Sequence, residues 1–222
     1  MFIGHFAVGF ALKRAAPNTG LGWLIAAPIF LDMVWPIFVL AGVERVAIEP
    51  GNTAFTPLNF ISYPYSHSLA AAIVWSIVLA VVYFAIGGTR SKLGSAVIAL
   101  GVFSHWVLDV ITHRADMPLY PGSKTFLGFS LWNSIPATLI LESLMFIAGV
   151  WLYASMTRAK DKIGSIAFWG FVLFLAVAYV SASFGSPPPS VTALGILGLL
   201  TWLFPFWAGW FDRHRKVTVE SA

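Results

Sequence analysis

The sequence predicts an all-α fold: a polytopic membrane helix bundle of about six to seven transmembrane helices. Three observations carry that reading. Of the 222 residues 59% are hydrophobic and 10% charged, where a soluble domain carries roughly 25% charged residues. The mean hydropathy is +0.83. The apolar residues also gather into long runs, bounded by clusters of charge, glycine and proline, and most of these runs can cross a hydrocarbon core of about 30 Å.

The elements follow in order. The first run, Met1–Leu12, is short for a span and reads as a half-helix or as a helix buried against its neighbours. Leu21–Val43 is long enough to span, and Pro36 is expected to kink it, with neighbouring groups satisfying the freed carbonyl. Ser66–Ile86, Leu93–His113, Ile135–Met156, Ile163–Phe184 and Val191–Phe211 complete the set. Ser186-Pro187-Pro188-Pro189 makes a tight, uncharged connection. The whole chain, 1–222, reads as a single integral membrane domain. Its start lacks a basic stretch ahead of the apolar run and is expected to be retained as mature sequence.

Basic residues orient the bundle. After the first, third, fifth and seventh runs they number ten: Lys13, Arg14, Arg90, Lys92, Arg158, Lys160, Lys162, Arg213, Arg215 and Lys216. After the other runs there are three, Arg45, Arg114 and Lys124. Positive charge favours the cytoplasmic side, so the expectation is an N-terminus outside and a C-terminus in the cytoplasm. The net charge of +4 is explained by these short loops, and no nucleic-acid partner is implied. The absence of cysteine excludes thiolate ligands, disulfides and cysteine nucleophiles.

Against this apolar background the ionisable residues stand out. His105, Asp109 and His113 lie four apart, so on a helix they share one face, drifting about 40° per step. His5, Asp32, His67 and Glu142 join them. All fall in the expected outer half or at mid-depth, Asp32 about 16 Å below the outer end of its helix. Two long connections, Glu44–Tyr65 and Arg114–Ser134, would roof a single outward-facing site. Charged groups within a bilayer are costly and mark function by default. Milder readings stand beside this one. His5 or His113 alone reads as a hydrogen-bonded interfacial residue. Asp109 could serve to orient His105. Glu142 could pair with Arg114 or Lys124, and Arg114 with Asp116. His214 reads as solvated in a basic tail, and the aromatic residues as lipid-facing material.

Imidazole with carboxylate suits zinc, with manganese or iron as alternatives, and an open position marks a catalytic site. The number of candidate ligands allows one or two ions. No H-E-x-x-H, no G-x-S-x-G and no glycine-rich P-loop is present.

Taken together, Gly4-His5, the Pro28–Asp32 stretch, His67-Ser68, and His105-x-x-x-Asp109 with Thr112 and Pro118-Leu119-Tyr120-Pro121 resemble the bacterial membrane-bound metal-dependent hydrolases. That family is similar at the motif level to zinc-dependent phospholipase C. The resemblance covers roughly residues 4–142. It departs from the family where Asp32 stands without the second Asp of a P-D-x-D doublet, and at Thr112-His113-Arg114-Ala115-Asp116. It implies hydrolase activity and a multi-pass protein of the bacterial inner membrane.

The reading is therefore a membrane metallohydrolase acting on a lipid phosphoester or another anionic, lipid-linked substrate. His67, His105, Asp109 and Asp32 are the expected ligands, with Glu142 and His5 next. Glu142 is alternatively the general base, and Asp109 and Arg114 complete the catalytic set. Arg114, a bidentate phosphate group, is placed with His113 and Ser68 on the substrate side. The alternative is a metal-ion or proton-coupled transporter. No oligomeric state follows from the pattern.

Overall fold

A computed structural model describes residues 1–87 and 91–218; Arg90 and the residues from 219 onward lie outside the described part. The helices are α1 (Ile3–Ala15), α2 (Leu21–Leu40), α3 (Pro64–His67), α4 (Leu69–Ile86), α5 (Lys92–Thr112), α6 (Ile135–Met156), α7 (Lys162–Phe184), α8 (Val191–Gly198) and α9 (Leu203–Arg213). Three antiparallel strand pairs close the loops. They join β1 (Arg45–Ile48) to β2 (Leu58–Ser62), β3 (Met117–Pro118) to β4 (Phe126–Leu127), and β5 (Thr157–Ala159) to β6 (Arg215–Val217).

Among the described residues, six units are long and apolar enough to cross a membrane: α2, α4, α5, α6, α7 and the stretch from α8 through α9. Two of the expected runs are interrupted. Pro64 starts the short α3, and Ser68 then turns extended and recaps the chain, its Oγ accepting from the Ala71 N–H at 3.0 Å. In the last run a 3₁₀ turn at Leu199–Trp202 joins α8 to α9. Pro205 explains it, since it has no N–H to return to the Thr201 carbonyl.

Helix α1 is too short to span alone and is buried against its neighbours, packing most extensively on α6 and also on α2 and α5. It runs from the Asp109 end of α5, where the Met1 nitrogen donates to Asp109 Oδ1 at 2.6 Å, to the far end of α9. There the buried Lys13 Nζ meets Asp212 Oδ2 at 2.8 Å. The bundle thus has two ends. One collects Lys13, Arg14, Lys92, Arg158, Lys160, Lys162, Arg213, Arg215 and Lys216 at helix boundaries. The other collects the histidines and is roofed by β1–β2 and by the segment between α5 and α6.

Both prolines of α2, Pro28 and Pro36, lie inside the helix. Pro36 leaves the Asp32 carbonyl without its usual helical donor. Neighbouring side chains reach this stretch of backbone: Trp202 Nε1 donates to Met33 O at 2.9 Å, and His105 Nδ1 to Pro28 O at 2.7 Å. A belt of apolar side chains faces outward, including Ile77 and Val81 of α4, Ile147 and Trp151 of α6, and Ile166 and Leu173 of α7. A soluble monomer rarely exposes so large an apolar surface.

The α1–α6 contact depends on Gly149, where a Cβ would fall on the Ala7 carbonyl and Cα. Gly149→Leu is expected to separate the helices, destabilise the protein by about 1–3 kcal/mol or more and lower its melting temperature in detergent. Thermal unfolding followed by circular dichroism checks this.

Candidate metal centre

Four elements build the centre. The single turn between Tyr63 and Ser68 supplies His67, α5 supplies His105 and Asp109 from one face, α1 supplies His5, and the middle of α2 supplies Asp32. His113 joins from the C-terminal boundary of α5. Two overlapping groups could hold a cation, His5 with His105 and Asp109, and Asp32 with His67 and His105. His105 is common to both.

Asp109 divides its two oxygens. Oδ1 takes the Met1 nitrogen at 2.6 Å and His5 Nε2 at 3.1 Å. Oδ2 faces three imidazoles, with His105 Nε2 at 3.0 Å and the Nε2 atoms of His67 and His113 both at 3.7 Å. His67 Nε2 lies 3.2 Å from His105 Nε2 and 3.5 Å from Asp32 Oδ1, and Asp32 Oδ1 is 3.8 Å from His105 Nε2. The ring of His5 stacks on that of His105 at 3.8 Å, within 5° of parallel.

The far sides of two imidazoles fix where their protons sit. A carbonyl oxygen can only accept, so His105 Nδ1 carries the proton it gives to Pro28 O, and its Nε2 faces Asp109 Oδ2 and His67 Nε2. Asp116 does the same for His113, whose Nδ1 lies 3.1 Å from Asp116 Oδ1. Tyr63 OH donates to the same Oδ1 at 2.6 Å. Burial holds the His113 imidazole below its ordinary pKa despite the pull of Asp116. Burial and the neighbouring Asp116 push the Tyr63 phenol well up, so it stays a donor. The rings of Phe60 and Trp132 cover His113 at 4.8 and 4.2 Å.

This donor set fits a divalent cation. Two ligands about 2.0–2.1 Å from a tetrahedral ion stand about 3.3 Å apart, and the ligand-atom separations here run from 3.0 to 3.8 Å. His5 Nδ1 is buried and has no partner among the described residues, while its Nε2 is the nitrogen that faces Asp109. Carboxylate together with imidazole is the combination that zinc, manganese and iron accept.

The structure distributes the sequence-predicted residues as follows. His5, Asp32, His67, His105 and Asp109 come together, and beside them His113 Nε2 lies 3.7 Å from Asp109 Oδ2. Glu142 Oε2 accepts from the Phe2 and Gly4 N–H groups at 2.8 and 3.1 Å, which secures the start of α1. Its Oε1 is buried and has no partner among the described residues. Ser68 is the N-cap of α4. Arg114 pairs with Asp116 through Nε at 3.1 Å, and its other two nitrogens bind Asn52 and Asn59 of the β1–β2 hairpin. His214 pairs with Asp161 Oδ2 at 2.7 Å.

Sequence reasoning missed Glu44, Ser66, Tyr63 and the role of Asp116 as the partner of His113. Only the residues next to known candidates, Ser66 beside His67 and Asp116 near His113, offered any signal. No family model, no curated protein and no solved structure matches the chain.

Arg114 ties the β1–β2 hairpin to the centre. Hydrogen bonds to a charged group contribute about 1.5–3 kcal/mol. Arg114→Ala is therefore expected to raise amide hydrogen exchange across β1 and β2 by on the order of tenfold or more, with little change in α6 and α7. Exchange mass spectrometry reads this directly.

Proposed function

We propose that the protein is a membrane-embedded metal-dependent hydrolase acting on a lipid phosphoester or related anionic lipid. The observation that carries the reading is the convergence of the Nε2 atoms of His67, His105 and His113 on one oxygen of the buried Asp109. Asp32 would complete the ligand set, with His5 serving the other Asp109 oxygen. Zinc suits these donors, in one or two ions, with manganese and iron as alternatives. The cation would supply Lewis acidity and lower the pKa of a coordinated water.

The chain's own residues then have distinct tasks. Asp109 and the imidazoles hold charge and geometry. Glu142 Oε1 is the carboxylate oxygen left to take a proton, a role that requires hydrogen-bond reach to the attacking water. Arg114 acts through Asp116 and His113, its guanidinium being shared among protein acceptors. Asp32 marks the way in: its side chain is 35% exposed, where His67, His105 and Asp109 are 4% or less. It lies midway along an apolar helix, so a substrate arriving there needs an apolar body, and that favours a lipid. The motif resemblance to membrane-bound metal-dependent hydrolases supports the same class.

Buried apolar side chains, among them Phe6, Phe10, Leu24, Ile25 and Phe171, fill the bundle between the centre and the Lys13–Asp212 pair. A transporter needs a polar route through this region, so hydrolysis is favoured over transport. The loop charges support a centre on the outer face and a C-terminus in the cytoplasm.

Protein purified without chelators is expected to carry about one to two equivalents of transition metal by elemental analysis. Asp109→Asn keeps the side-chain shape but is expected to lose most of the metal and at least 100-fold of the hydrolysis of phospholipid in detergent. Metal flux into liposomes without lipid turnover would overturn the hydrolase assignment. Sidedness has its own test, simplified by the absence of native cysteine. Ala54→Cys and Lys124→Cys should react with an impermeant maleimide from outside intact cells, and Arg158→Cys only after lysis. The reverse pattern would invert the topology.

A further inference from the structure

Behind His67 lies a buried acid that the metal reading does not use. Glu44 is 1% exposed and sits just beyond α2. Its Oε1 accepts from the Tyr65 and Ser66 N–H groups, both at 2.8 Å, and its Oε2 takes the Ser66 hydroxyl at 2.6 Å. Ser66 Oγ lies in turn 2.6 Å from His67 Nδ1. Ser66 is wholly buried and His67 nearly so, so water does not compete for these contacts.

The chain of contacts has a direction. A carboxylate with both oxygens accepting has no proton to give, so the one hydroxyl proton of Ser66 must go to Glu44. The Ser66 oxygen is then an acceptor, and His67 Nδ1 must carry the proton that faces it. In the neutral ring the proton is thereby kept off His67 Nε2, which faces His105 Nε2 at 3.2 Å and Asp32 at 3.5 Å. We infer that Glu44 is a positioning residue: acting through Ser66, it sets the tautomer of His67 and keeps the Nε2 lone pair available to a cation. This rests on the metal-centre reading for its purpose, but not for its geometry.

A conservative change reverses the direction. In Glu44→Gln the amide oxygen still accepts from the Tyr65 and Ser66 N–H groups, so the local fold is kept. The amide NH2 replaces Oε2 and donates to Ser66 Oγ. The Ser66 hydroxyl is then free to donate to His67 Nδ1, and the His67 proton moves to Nε2. There it faces His105 Nε2 at 3.2 Å and Asp32 Oδ1 at 3.5 Å, and a protonated Nε2 has no lone pair to offer a cation. Partners of this kind typically change metal affinity by 10–100-fold.

The experiment uses full-length wild type and Glu44→Gln, with Ser66→Ala as a second variant, each labelled with 15N at histidine. In metal-free protein the 15N shifts of His67, assigned by comparison with His67→Gln, report which ring nitrogen is protonated. Zinc affinity is measured by competition with a chromophoric chelator, and the cobalt(II) visible spectrum reports the ligand field. Wild type is expected to show protonated Nδ1. Glu44→Gln should show protonated Nε2, unchanged thermal stability without metal, zinc binding weaker by 10–100-fold and an altered cobalt spectrum. Ser66→Ala should weaken zinc binding without inverting the tautomer. Protonated Nδ1 in Glu44→Gln with wild-type zinc affinity would overturn the inference, as would protonated Nε2 in wild type. Loss of folding in Glu44→Gln would also overturn it, by showing that the acid's role is to hold the backbone. If wild type binds no zinc, the metal reading falls, and the 15N measurement still decides the role of Glu44.

Discussion

The structure is organised around one expensive group, the Asp109 carboxylate. It is 2% exposed and lies inside a bundle of predominantly apolar helices. A buried charge of this kind persists only when its surroundings compensate it. Here the Met1 nitrogen and His5 approach one oxygen, and three imidazoles approach the other. The first turn of α1, the break between α3 and α4, and the end of α5 are all held where Asp109 needs them. The backbone-to-backbone contact at Gly149 serves the same end, since it seats α1 deeply enough for His5 to stack on His105.

The groups around Asp109 are themselves held by others. His105 is fixed by the Pro28 carbonyl, His113 by Asp116, and His67 by Ser66 and Glu44. Three different kinds of acceptor thus fix the outer nitrogens of three rings. Asp116 also takes Tyr63 and Arg114, and through Arg114 the hairpin that roofs the site is tied to a ring at its centre. A hydrogen-bonded network of this depth in an apolar interior is rigid, because each unmade bond costs about 1–3 kcal/mol. Rigidity suits the proposed function, in which ligand atoms must be held in place before a cation arrives.

The two ends of the bundle solve different problems. At the basic end, Lys13, Asp212 and Tyr153 form a compact buried group, and Arg215 lies over the Phe168 ring at 4.6 Å while donating to Gly164 O. At the site end Asp32 keeps an accessible face beside buried neighbours. That asymmetry places the proposed chemistry at one end and leaves the other to anchoring and closure.

The amino-acid sequence by itself determined the helical architecture. Apolar runs of membrane length have few alternatives, since only a helix satisfies its own backbone groups in hydrocarbon, and the starts of α6 and α8 and the end of α7 coincide with the expected ones. The i, i+4 spacing placed His105, Asp109 and His113 on one face, because that periodicity is local. Tertiary structure decided the rest. That His113 faces Asp109, that Glu142 secures α1, and that Arg114 is spent on Asp116, Asn52 and Asn59 all depend on loops whose paths have no period to read. Glu44 shows the difference most clearly. In sequence it is an acid at the edge of a loop, 23 residues before His67. Only the return of the chain through the β1–β2 hairpin buries it behind Ser66, and burial is what turns an ordinary surface acid into a group that can hold a proton in place.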